Sequence, residues 1–242
     1  MNKKIEFVAR DEWAWKTCLK PIPASENIPQ WWKDLTPYEK NHNNPDGNKL
    51  IVENYASNAS AKKCIPMLDA LTTGYLISLW TDVQVKKIEN NPIPQITWLV
   101  KSRPVFTLHS NAHHTIQAPT GYENIVFKYE NVWIPKTPKG YSVLITTPMG
   151  HRDLPFYAIP AVIDSDKSTL EVITPMWIKK DFEGIVEKHT PLLQITPFKR
   201  DDWKAEYSYY KNGEYDVIEE KNFRTTIINH YSKNHWTRKS YK

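Results

Sequence analysis

The chain has 242 residues, 40% hydrophobic and 12% aromatic, with a net charge of +5. That length and apolar content suit one globular domain with an extension and exclude a disordered chain. The mild charge demands no polyanionic partner, and two cysteines, Cys18 and Cys64, are too few for a multi-cysteine zinc motif.

Residues 1–49 read as an N-terminal extended arm, rich in Pro and Trp. Within it "PIPASENIPQWWKDL" predicts a short helix from Ser25 to Leu35, with Ser25 as N-cap and Trp31 and Trp32 packing inward. Residues 41–49, "NHNNPDGNK", are loop by composition. Residues 50–200 read as a β core. "LIVENYA", "YLISLWTDVQVKKI", "QITWLVKS", "YSVLITTP", "FYAIPAVID", "TLEVITPMWI" and "PLLQITPF" are short runs of β-branched and aromatic residues separated by Pro and Gly. Alternation is clearest in 82–88 and 169–173, and Pro175 predicts an edge strand or a strand start. Residues 201–242 read as a C-terminal helical extension, in which Phe223, Ile227, Tyr231 and His235 recur every four residues. Its end, "NHYSKNHWTRKSYK", is basic, as a solvated tail is. The expected architecture is a single mainly-β domain, a β-clip or related barrel or sandwich, with the arm and the helical segment attached.

Seven glycines and the absence of any P-loop, dinucleotide-binding fingerprint, G-x-S-x-G elbow or H-E-x-x-H exclude the common cofactor motifs. His151-x-Asp153, with His189 and Arg200 downstream, has the order of a 2-His-1-carboxylate iron site followed by a basic residue for the carboxylate of 2-oxoglutarate. The alternative it raises is an Fe(II)/2-oxoglutarate oxygenase. His109, His113 and His114 lie close in sequence and raise a metal site or an exposed loop. The start, "MNKKIEFVARDEW", lacks the apolar stretch of a signal peptide, and no run of about 18 apolar residues follows. The expectation is a cytoplasmic protein with reduced thiols and no membrane span.

Four segments between residues 138 and 200 follow one another in a telling order. They are Pro138-Lys139-Gly140-Tyr141, Thr147-Pro148-Met149-Gly150, Ala161-Val162-Ile163-Asp164, and "FEGIVEKHTPLLQITPF" with Gln194. Upstream stands Thr73-Gly74-Tyr75. This order resembles the central part of the dUTPase and dCTP-deaminase superfamily. The resemblance implies a β-clip and makes Asp164 the aspartate that would orient or deprotonate the attacking water and contact the deoxyribose. The chain departs from the family where the chemistry needs it. Lys167 stands where an aromatic would stack on the sugar, Thr147 to Gly150 offers no phosphate-binding serine, and the Gly-rich C-terminal arm is missing. An aspartate alone cannot hold three phosphates and magnesium. Blocks such as "KKCIPMLDALTTGY" and "HTPLLQITPFKRDDW" also resemble a family of stand-alone proteins of marine tailed phages and some bacteria.

The expected function is therefore that of a phage or bacterial accessory protein on a dUTPase-like scaffold, without nucleotide hydrolase activity. It would bind a small molecule or a protein partner, with Asp164, Asp166, Gln194 and Arg200 as ligand-binding candidates. A virion or assembly component is the third alternative. The sequence is compatible with a homo-oligomer and carries no recognition helix or RNP motif for nucleic acid.

Overall fold

Strand accounts for 32% and helix for 18% of a mainly-β architecture with several sheets and, among the described residues, no closed barrel. The computed structural model describes residues 3–37, 60–101, 103–110, 115–226 and 231–242. The chain divides into two compact units, one of Met1–Asn27, Thr73–Arg200 and Tyr241–Lys242, the other of Ile28–Thr72 and Asp201–Ser240. A chain that leaves and re-enters each unit does not follow the consecutive arm, core and extension expected above.

The first unit holds the strands. They are β1 (Glu6–Ala9), β2 (Ile22–Pro23), β3 (Tyr75–Ser78), β4 (Val83–Ile88), β5 (Asn91–Trp98), β6 (Phe106–Leu108) and β7 (Phe127–Tyr129). After them come β8 (Trp133–Lys136), β9 (Tyr141–Thr146), β10 (Phe156–Ala158), β11 (Ala161–Ile163), β12 (Thr174–Ile178), β13 (Gly184–Val186) and β14 (Pro191–Lys199). A short helix, α1 (Glu12–Thr17), follows β1. The sheets run β11-β9-β14-β3-β2, β10-β12-β7-β6, β13-β4-β5 and β1-β8, and every pairing is antiparallel.

Burial follows position in the sheet. β4 alternates buried Val83 and Val85 with exposed Gln84 and Lys86, as a half-solvated strand does. β14 lies between β9 and β3 and is buried on both faces from Pro191 to Ile195. Phe106 and Phe156 come from the two edge strands of the β10-β12-β7-β6 sheet, yet their rings stack at 4.7 Å. That sheet therefore curls around its own apolar face. Tyr129 is wholly buried beneath it, and burial holds its phenol far above the ordinary tyrosine range.

Several expectations need correction. The N-terminal residues are not a separate arm: β1 pairs with β8, β2 pairs with β3, and Ala14 and Cys18 are buried in the core. No helix runs from Ser25; a 3-10 turn spans Ala24–Glu26, and Pro29 then takes the N-cap place of α2 (Gln30–Asp34). Thr169 to Ile173 is not strand, because Ile173 N donates back to Glu171 O at 3.0 Å and Leu170 is 76% exposed. Pro175 lies at the start of β12, as expected, but β12 is an inner strand and not an edge. The Pro175 carbonyl accepts from Ile159 N at 2.9 Å, but its nitrogen cannot return the bond, and the ladder with β10 ends there. "FYAIPAVID" is two strands, because the chain turns at Pro160 and moves from one sheet to another. The strand "LIVENYA" and the loop 41–49 lie outside the described residues.

The second unit contains α2, a 3-10 turn at Ala61–Lys63, α3 (Ile65–Thr72), α4 (Glu214–Thr226) and a π-helical turn at Tyr231–His235. Lys62 ties it together by donating to the carbonyls of Trp32 at 2.5 Å and Lys33 at 3.2 Å. Asp69 on α3 accepts from Trp236 at 3.0 Å and from Lys239 at 2.6 Å. Of the expected helical face, Ile227 lies outside the described residues. Among those residues no helix is long and apolar enough to cross a membrane.

Candidate functional site

Strand register brings three of the four ligand candidates together. β9 lies between β11 and β14, with Ile163 opposite Val143 and Lys199 opposite Tyr141. The residue after β11 is Asp164 and the residue after β14 is Arg200, so both arrive at the start of β9. A turn at Pro138–Tyr141, closed by Tyr141 N donating to Pro138 O at 3.1 Å, presents the Gly140 backbone there.

Arg200 grips Asp166 with both ends of its guanidinium, Nη1 donating to Oδ1 at 2.8 Å and Nη2 to Oδ2 at 2.5 Å. Gly140 N donates to Asp166 Oδ2 at 2.7 Å. The Asp166 side chain is 3% exposed, and these donors hold its carboxyl far below the usual carboxylate range, Arg200 first and Gly140 second. Arg200 also donates to Ser142 Oγ at 2.9 Å and to Tyr141 O at 3.1 Å, and lies 3.1 Å from Asp164 Oδ1. Ser142 donates to Asp164 Oδ1 at 2.8 Å, which lowers that carboxyl as well, with the Arg200 charge assisting. Asp166 in turn raises the Arg200 guanidinium above its ordinary value. The acidic turn is closed by Lys167 N and Ser168 N, both donating to Asp164 O at 2.9 Å.

This is a clasp that joins the ends of three strands. Asp166 meets three donors from its own chain. A carboxylate so satisfied is a weak base, and the depressed value of Asp164 also disfavours proton abstraction near neutral pH. Asp164 Oδ2 faces Lys167 at 3.8 Å, and its side chain is 46% exposed.

Gln194 is elsewhere, in the middle of β14 and 1% exposed. Its Oε1 accepts from Met149 N at 2.7 Å, and its Nε2 donates to Thr73 O at 2.7 Å. It thereby links the loop after β9 to the turn before β3. Gly74 in that turn has a φ of +70°, and a Cβ built on it would stand 2.2 Å from Ile195 O. Only glycine admits this approach of turn and strand.

The iron ligands of the oxygenase alternative do not assemble. Among the described residues no three His, Cys, Asp or Glu side chains gather where they could hold a metal ion. His151 lies in a turn, its N donating to Pro148 O at 3.2 Å and its Nε2 3.1 Å from Asn27 O. Asp153 sits in the turn that precedes β10, which starts at Phe156. His189 has a φ of +77° and donates its backbone N–H to Leu79 O at 2.8 Å. Arg200, the expected partner of 2-oxoglutarate, is occupied by Asp166. His113 and His114 lie outside the described residues.

Two features went unread in the sequence. Ser142 and Gly140 complete the clasp, and only strand register could have placed them. The stretch 201–218 carries Trp203, Tyr207 and Tyr209 at 91%, 95% and 89% exposure, with Tyr210, Tyr215 and Val217 also more than half exposed. The signal was there in "DDWKAEYSYYKNGEYDV", where aromatics stand without the apolar spacing of a strand or helix that could bury them. Comparison with protein-family models, with curated proteins and with solved structures found no match to this chain.

Proposed function

We propose that this is an assembly protein whose copies associate through the aromatic stretch 201–218, with the strands as a dUTPase-like scaffold in the service of a phage or bacterial accessory role. The observation that carries the proposal is the exposure of that stretch. Residues 201–211 have no regular secondary structure, and among the described residues 202–210 make no backbone–backbone hydrogen bond. Large aromatics bury about 150–250 Å² each. Trp203, Tyr207, Tyr209, Tyr210 and Tyr215 together therefore reach roughly the 800 Å² per partner of a standard interface. Charge favours a second copy as that partner. Residues 201–220 contain seven acids and two lysines, a net of −5 in a chain of net +5, so the rest of each copy is basic.

Support for the β-clip scaffold comes from where the family-like residues lie. Thr73-Gly74, Met149 and Gln194 are far apart in sequence and meet through the Gln194 amide. The Asp164 motif closes the neighbouring sheet end. The same geometry supports a scaffold without nucleotide hydrolysis, since Asp164 and Asp166 are engaged by Arg200.

The test is light scattering across protein concentration for the wild type and for a Trp203→Ser/Tyr207→Ser/Tyr209→Ser variant. The wild type is expected to form oligomers that weaken with salt, and the variant to remain monomeric while keeping the wild-type circular dichroism. A wild type that stays monomeric at every concentration overturns the proposal.

A further inference from the structure

β1 belongs to a two-stranded sheet in which β8 is its single neighbour among the described residues. Arg10 N donates to Val132 O at 2.9 Å, so in this antiparallel register Val8 and Glu6 also turn their backbone groups toward β8. Phe7 and Ala9 turn theirs the other way. Two facts agree with this. Pro135, opposite Phe7, has no N–H to exchange, and Trp133, opposite Ala9, donates its N–H to Asn131 Oδ1 at 3.1 Å. The outer edge of β1 thus offers two N–H and two C=O groups with no partner among the described residues.

That edge faces a depression of about 430 Å³ lined by Glu6, Phe7, Val8, Ala9, Asp11, Glu12 and Trp15. Trp15 is 52% exposed and leans edge-on against buried Trp133 at 6.2 Å, so it is a fixed wall. None of the lining residues is basic, and three are acids. Asp11 is bridged to Arg103 and Glu12 pairs with Lys16, whereas Glu6 has no ion-pair partner among the described residues. The indole face of Trp15 already holds one ammonium, that of Lys20, at 4.0 Å.

We infer that this groove binds a lysine- or arginine-rich extended segment of a partner protein, added as a third strand beside β1. Backbone pairing with Phe7 and Ala9 supplies the register, about 4.8 Å from β1. The Glu6 carboxylate, without an ion-pair partner among the described residues, and the acidic lining around it select basic side chains. The stretch 201–218 does not suit this groove, because both are acidic.

The probe is an eight-residue peptide alternating lysine with valine, used with two controls: the same peptide with glutamate for lysine, and the lysine peptide N-methylated at alternate residues. Binding is read by amide NMR shifts and by hydrogen exchange at Phe7 and Ala9. The lysine peptide is expected to protect both amides, and Glu6→Lys with Glu12→Lys to weaken it at least tenfold. The methylated peptide should lose binding, because it cannot supply N–H groups to the edge. Equal binding of methylated and plain peptides means mere charge adhesion and overturns the inference, as does protection by the glutamate peptide. If the lysine peptide fails while a peptide of residues 233–242 binds, the occupant is a second copy and the inference of a separate partner is likewise overturned.

Discussion

Replacing Gly74 by alanine tests the packing that brings the family-like residues together. The added Cβ would meet Ile195 O at 2.2 Å, Ile195 C at 2.9 Å and Thr196 Cα at 3.0 Å, all backbone of a strand held on both sides. The oxygen must retreat by about 1 Å to reach ordinary contact, and overpacking of this kind costs about 1–3 kcal/mol. The φ of +70° adds about 1–2 kcal/mol for any residue with a Cβ. The sum, roughly 2–5 kcal/mol, is a large part of the 5–15 kcal/mol that holds a typical domain. Gly140 supplies the control: its φ is +84°, but a Cβ there meets nothing within 4 Å. Gly140→Ala should therefore show the backbone cost alone. Urea unfolding of both variants, followed by tryptophan fluorescence, separates the two contributions. If the two alanine variants differ by less than about 0.5 kcal/mol, the close approach of Gly74 to β14 is wrong.

Three further outcomes follow from single groups. Thr146 Oγ1 is buried and has no partner among the described residues, so Thr146→Val should stabilise by about 1 kcal/mol and raise Tm by about 2–4 °C; a lower Tm would show that the hydroxyl is satisfied. Asp166 has a depressed folded pKa, so its contribution is present above the unfolded value near 4 and fades as pH falls. Asp166→Asn should accordingly lower Tm at pH 7, by an amount that shrinks in thermal melts below about pH 4; a constant deficit would contradict the clasp. Burial pushes the Cys18 thiol up to about 11, while Cys64 is half-buried and also free. Alkylation of native protein at pH 8 should modify Cys64 first, and equal rates would place Cys18 at the surface.

Much of the β core could be read from local pattern. Runs such as "YSVLITTP" and "PLLQITPF" combine β-branched density with bounding prolines, and they became β9 and β14. The short strands β6, β7 and β13 have three residues each, too few to show a period. Thr169 to Ile173 alternated without a partner strand to pair with, and alternation alone supplies no ladder. Pro175 stands at a strand start, where the missing N–H removes only the last bond of the ladder with β10. Asp164 was selected through the resemblance and Asp166 and Arg200 by residue type, yet what unites them is register across β9. Gln194 was selected through the resemblance and proved to be a buried cross-link. The exposure of the aromatics from Trp203 to Tyr215 was not legible from composition, which does not distinguish an aromatic that is buried from one that is exposed.

Hydrogen exchange of the backbone amides of residues 202–210, measured on dilute and concentrated protein, tests the assembly proposal most directly. In the dilute sample these amides should exchange at the rate of an unstructured chain, because among the described residues they make no backbone–backbone hydrogen bond. In the concentrated sample they should slow by at least tenfold, and the Trp203→Ser/Tyr207→Ser/Tyr209→Ser variant should abolish the slowing. Free-chain exchange at every concentration would contradict association through this stretch.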